Sequence, residues 1–181
     1  MNNTEQKAFF QQCLYDALLG LMERKPLESI NVGELCDAAG VSRMTYYRSY
    51  DRMEDILVQH LDSCFEEFVQ DMDKARDDLE RIVLLFFRYI GETEARFFRC
   101  LANSSAVHLL SDRFDCYIAR LASLVLPEKN LSPYAFSYMA GGSYRIIVDW
   151  LRNGQDESSE AMAQVILSLL NCLKHFEHTT D

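Results

Sequence analysis

Arg43, Thr45, Tyr47, Arg48 and Arg52 fall within one short stretch, SRMTYYRSYDR. These are hydrogen-bond donors rather than the acids, bases and nucleophiles of a catalytic centre. Arg43 can offer a forked donor to guanine O6 and N7 or to a phosphate. Thr45 and Tyr47 offer hydroxyls, and the Thr45 methyl suits thymine. Helical phase sorts the stretch into faces: Tyr46 and Tyr50, four apart, share an inward side, while Arg43, Thr45, Tyr47 and Arg48 point elsewhere. Arg52 lies near the start of the following helix. The chemistry on offer is recognition of a nucleic acid. The same pattern also describes a solvated short helix in an ordinary bundle.

The segment that would hold these side chains, INVGELCDAAGVSRMTYYRSYDRMEDIL over residues 30–57, reads as two short helices joined by a tight turn and followed at once by a third. Asn31 is an N-cap, and Glu34 can reach back to its amide in a capping-box variant. Val32, Leu35, Cys36 and Ala39 form one apolar stripe at i, i+3, i+4 and i+7. Gly40 suits a left-handed C-terminal stop. Ser42 is a second cap, with Val41 able to staple against Tyr46. Asp51 is a third cap candidate with Glu54 three residues on, and the amides that follow it form a natural phosphate site. This is the layout of a helix-turn-helix, whose second helix, 43–49, enters a major groove.

The stretch resembles the N-terminal DNA-binding domain of TetR-family transcriptional regulators. INV, AAGVS, TYYRSY and RMEDIL stand for the family's run of helix start, turn, recognition helix and close. The resemblance implies roles for particular positions. Asn31 stands where the helix cap often touches a phosphate. Ser42, Arg43, Met44 and Thr45 form the leading edge of the recognition helix, and Tyr47 matches a tyrosine that contacts the backbone. Met44 replaces a frequent glycine, Ser49 a histidine, Tyr50 a phenylalanine and Met53 a phosphate-binding lysine, for which Arg52 is a substitute. The DNA-binding set is therefore Asn31, Ser42, Arg43, Met44, Thr45, Tyr47, Arg48 and Arg52.

The chain has 181 residues, of which 49% are hydrophobic, enough for a sizeable interior. Its net charge of −10 argues against a broadly basic nucleic-acid binder. The distribution matters more: residues 1–52 carry six Lys/Arg against seven Asp/Glu, and the remainder twelve against twenty-one. Binding would rely on a local positive edge with a modest salt slope. No apolar run reaches about 18 residues, so no membrane span is expected. MNNTEQKAFF lacks a secretory pattern, so the expected location is cytoplasmic. The six cysteines show no CxxC pair, and Cys13, Cys36 and Cys64 read as small buried hydrophobes, with a thiol sensor as the alternative. Cys172, His175 and His178 read as a polar tail, so no metal site and no cofactor are expected. GxSxG, P-loop, Rossmann and HExxH patterns are absent, which argues against an enzyme. A partner-binding helical module is the contrasting class.

The rest of the chain reads as helix throughout: 5–24, about 51–74, 79–90 stopped by Gly91, 93–101, 105–125, 133–152 and 157–177. The fold class is all-α, with a helix-turn-helix domain over 1–52 and a helical sensing and dimerisation domain over 53–181. Gly141 and Gly142 inside a helix each cost roughly 1 kcal/mol relative to alanine, which a close helix–helix approach would offset. The AGGSYRIIVDWLRNG stretch resembles the C-terminal domain of a TetR subset that includes regulators of dihydroxyacetone-kinase operons. The family implies a homodimer through helices 133–152 and 157–177 that reads a palindromic operator in double-stranded DNA. It also implies a body that senses a small-molecule effector or a protein partner, most simply as a repressor. Phe87, Tyr89, Phe98, His108, Tyr117, Tyr144 and Trp150, with Phe86 and Phe97 beside them, could line an apolar pocket for that effector.

Overall fold

The computed structural model describes residues 3–72, 78–111, 113–114, 118–119 and 133–176, and these are helical apart from turns and short connections. Helices α1 (Asn3–Met22), α2 (Val32–Ala39) and α3 (Arg43–Tyr47) form the N-terminal head. Helix α4 (Glu54–Met72) leads out of it. The body contains α5 (Leu79–Arg88), α6 (Ala95–Ala102), α7 (Pro133–Arg152) and α8 (Ser159–Phe176). Of the helix expected over 105–125, a 3-10 turn at Ser105–Val107 and helical residues 108–111, 113–114 and 118–119 are described.

Local chemistry sets the ends of the head's helices. Asn31 Oδ1 accepts from the Glu34 amide at 3.0 Å, but the Glu34 carboxylate pairs with Lys25 rather than closing a capping box. Gly40 ends α2 at φ 66°, and the Val41 amide returns to the Cys36 carbonyl at 3.0 Å, a Schellman stop that only a residue tolerant of the left-handed region makes cheaply. Ser42 Oγ accepts from the Thr45 amide at 3.1 Å and starts α3.

The core runs without a break from the head into the body. Leu14, Leu18, Leu35, Tyr46, Leu57 and Leu61 join Phe87, Phe97, Leu101 and Leu151 in one buried cluster. Surface ties follow the same path: Arg96 of α6 forks onto Glu23 just past α1 at 2.7 and 2.8 Å. Arg88 of α5 likewise grips Glu160 of α8. Both pairs are about half exposed, so each adds little stability.

One expectation is corrected. Gly91 does not stop a helix. Residues Tyr89–Thr93 continue α5 as a π turn, closed by the Glu94 amide on the Tyr89 carbonyl at 2.8 Å. A Cβ on Gly91 would meet the Trp150 ring, so the glycine serves packing rather than termination. Tyr89, Glu92 and Glu94 consequently leave the turn in directions that a regular α-helix would not give them.

Candidate nucleic-acid interface and apolar cavity

The head divides the α3 side chains cleanly. Tyr46 is 1% exposed and Tyr50 6%, both packed into the core, whereas Tyr47 is 61% exposed and Met44 74%. Asn31, Ser42, Arg43 and Arg48 are also exposed, and Thr45 is half-buried. The expected inward and outward faces are thus the faces the structure has. Helix α3 closes at Tyr47, with Arg48 as its C-cap, slightly shorter than the 43–49 read from the sequence.

Gly33 brings two members of the set together. A Cβ there would lie 2.5 Å from Arg43 Nη2 and 3.1 Å from Asn31 Oδ1, so the guanidinium lies over the first turn of α2 beside the Asn31 cap. Two candidate phosphate or base contacts from different helices therefore share one spot. Thr45 and Ser42 share a hydroxyl hydrogen bond of 2.9 Å at the leading edge of α3.

Arg52 is differently placed. It pairs with Glu54 at 3.3 Å and Asp55 at 3.8 Å, and its side chain is 68% exposed. The Asp55 carboxylate also accepts from the amides of Asp51 and Arg52, at 3.1 and 2.7 Å. Asp55, in the first turn of α4, thus reaches back to the residues that precede the helix, and Asp51 is not its N-cap. A phosphate approaching the turn before α4 would find the Asp51 and Arg52 amides already taken by the Asp55 carboxylate.

In the body, an apolar cavity lies between α4, α5, the π turn and α7. Leu61, Phe65, Phe68, Phe86, Tyr89 and Ile147 are among its walls. Its volume is about 50 Å³ inside about 560 Å³ of space that opens to solvent. Organic ligands take pockets of about 300–1,000 Å³, so a molecule of that size enters only if the helices part. Of the candidate effector residues, Tyr89, Phe98 and Tyr144 line this cavity. Phe87 and Trp150 lie outside it, packed edge to face at 5.4 Å in the core. His108 is exposed, its ring bonded to the Ser105 carbonyl, and Phe97 is buried against Tyr15 and His60. Tyr117 lies outside the described residues, as do the side chains of the Cys172, His175 and His178 group. Phe65 and Phe68 contribute walls that the sequence presented only as a packing stripe on α4; their i, i+3 spacing opposite Phe86 is the signal that could have found them.

Residues 77–172 match the TetR-type family model described as transcriptional regulator C-terminal region. The chain belongs to this family. No curated protein matches it. Several solved structures share the fold. Lin0861 from Listeria innocua is 21% identical, with a TM-score of 0.77 over 96% of this chain and 95% of that one. The dihydroxyacetone kinase operon activator DhaS is 20% identical, with a TM-score of 0.66 over 91% and 95%. The regulator FadR from Bacillus subtilis, solved in complex with stearoyl-CoA, is 17% identical, with a TM-score of 0.60 over 88% and 96%. A TetR-type chain with a helix-turn-helix head is a transcriptional regulator. Among the described residues no helix is long and apolar enough to cross a membrane.

Proposed function

We propose that the chain works in the cytoplasm as a homodimer that binds a palindromic operator through α3 and is released from it by an apolar effector, most simply as a repressor. The observation that carries the DNA reading is the split between neighbours on one short helix. Tyr46 is buried, while Arg43, Met44, Tyr47 and Arg48 stand out beside the Asn31 cap. Ordinary packing has no use for such a row of exposed donors and large side chains, and a major groove does.

The dimer is supported by a second exposed row. Tyr134 (87% exposed), Tyr138 (67%), Gly141, Gly142 and Arg145 follow one another along a single side of α7, and Val165 and Leu169 are exposed on α8. Among the described residues, no atom of a neighbouring element comes within 4 Å of a Cβ on Gly141 or Gly142. The described residues do not make the close approach that would justify two helical glycines, which supports a symmetry-related α7 as its source.

The effector reading rests on the cavity. Its walls are almost wholly hydrocarbon, so its ligand is an apolar group, of which a fatty acyl chain such as that of the B. subtilis relative's ligand is one instance. Filling it must spread α4 from α5 and α7, and α4 carries the head. Affinity for DNA then falls by the ligand's preference for the spread state and no further.

Selection of the purified protein against a randomised DNA library at near-physiological salt tests the core of this reading. A two-fold palindrome is expected, with half-sites about 34–36 Å apart. Its loss in an Arg43→Ala/Tyr47→Ala double variant assigns the reading to α3. Enrichment that survives in the double variant overturns that assignment. No enrichment at all favours a helical module acting through a protein partner.

A further inference from the structure

We propose that His60, Cys64 and Glu94 form a binding site for a divalent transition-metal ion of the zinc class at the joint between head and body. His60 and Cys64 are four apart on α4 and so face the same way. Glu94 is brought to them by the π turn, whose wider winding ends at that residue. One ligand atom from each, an imidazole nitrogen, the thiol sulfur and a carboxylate oxygen, lie within 4.8 Å of one another. His60 Nε2 is already 3.0 Å from Glu94 Oε2.

This donor set is one that zinc takes. Bonds of about 2.0–2.3 Å in a tetrahedral shell separate neighbouring ligand atoms by roughly 3.3–3.8 Å. A movement of roughly 1 Å closes the group around an ion. The Tyr15 hydroxyl, 3.0 Å from His60 Nε2, or a water completes the fourth position. Thiolate and imidazole together favour zinc-class ions over magnesium or calcium, which take oxygen. Cys64 is 3% exposed, while the His60 and Glu94 side chains are about a quarter exposed, so an ion enters from the His60–Glu94 side.

Binding replaces the Cys64 proton by the ion, and that proton goes to solvent. Cys64 is buried, where a bare thiolate is costly. A coordinated cation supplies the charge that holds it. The Tyr15 ring stacks on that of His60 at 3.9 Å and the Phe97 ring meets it edge to face at 4.5 Å, which holds the imidazole in orientation. Tyr15 belongs to α1 in the head and Glu94 to the body. An ion held between them pins α1, α4 and the π turn at one point.

The test needs no DNA, so its outcome is separate from that of the operator selection. Co²⁺ is titrated into the purified full-length protein and followed by absorption, with Zn²⁺ added as competitor. One equivalent per chain is expected, with a near-ultraviolet thiolate-to-cobalt band, visible bands of a four-coordinate ion, and loss of both on adding Zn²⁺. Cys64→Ser removes the near-ultraviolet band while circular dichroism stays native. Glu94→Gln, which keeps shape and hydrogen bonding, weakens Co²⁺ binding by more than the roughly 10–100-fold that loss of an outer-shell partner costs. Zn²⁺ raises the Tm of the parent protein and not that of either variant. Absence of the thiolate band in the parent protein, or its full retention in Cys64→Ser through another cysteine, overturns the proposal.

Discussion

Gly91 lies so close to Trp150 that a methyl group on its Cα would come within 2.5 Å of the indole Cη2. The indole cannot retreat. Its Nε1 donates to the Glu157 carbonyl at 3.0 Å, and its ring packs edge to face with Phe87. Gly91→Ala should therefore destabilise the fold by about 1–3 kcal/mol through overpacking. The helix preference of alanine points the other way, by about 1 kcal/mol. A lowered urea midpoint at unchanged slope is the expected result, and an unchanged midpoint would show that α7 is free to shift.

Tyr46 and Tyr47 are sequence neighbours with opposite expectations. Tyr46→Ala should cost about 3–5 kcal/mol, as removal of a fully buried aromatic does. Tyr47→Ala should change stability by no more than about 0.5 kcal/mol, as exposed sites do. Operator affinity should fall in Tyr47→Ala although it melts like the parent. Paired denaturation and fluorescence-anisotropy measurements read both quantities.

Gly141 and Gly142 decide the sign of an alanine substitution by what faces them. Among the described residues of one subunit nothing opposes a Cβ, so Gly142→Ala should stabilise an isolated chain by about 1 kcal/mol. Across a close two-fold contact the same methyl group should weaken the dimer. Sedimentation equilibrium on Gly142→Ala and on Tyr138→Asp is expected to show weaker self-association in both. Unchanged association would move the interface away from this face of α7.

The head should lose stability in alkali. Burial raises the Cys36 thiol above its usual value and pushes the Tyr46 phenol up to about 12. In the unfolded chain these groups ionise near about 8.5 and 10. The native state thus keeps protons that the unfolded state has released. Stability is complete below about pH 8.5 and declines from there towards about 12. Urea midpoints measured across that range should fall, and Tyr46→Phe should flatten the upper part of the decline. A profile that is flat to pH 11 would show that neither group matters.

The head was legible because its signals are local. A cap, a left-handed glycine and a tyrosine pair four apart each act over a few residues, and Asn31, Gly40, Ser42, Tyr46 and Tyr50 behave as their spacing says. The start of α4 was misread because Asp51 and Asp55 offer the same carboxylate, and only the backbone path decides which one reaches the free amides. The π turn has no sequence period of its own, so Gly91 looked like a stop. Glu94 could not then be placed beside His60, because the π turn that brings them together was not read, and Gly91 within it packs against Trp150, a residue far along the chain. The cavity was half visible: aromatics announce an apolar interior, but which of them edge a gap depends on how helices meet. Tyr89 and Tyr144 reach it, and Phe87 and Trp150 do not.

The narrowness of that cavity has a kinetic meaning. A guest much larger than about 50 Å³ must wait for the walls to separate, whatever its concentration. At saturating ligand the observed rate of capture should then level off at the rate of opening, a property of the protein shared by chemically different guests. Once inside, a guest is held by the same slow step, so a brief exposure would leave a lasting signal. Such a regulator would keep a memory of its ligand measured by the breathing of α4.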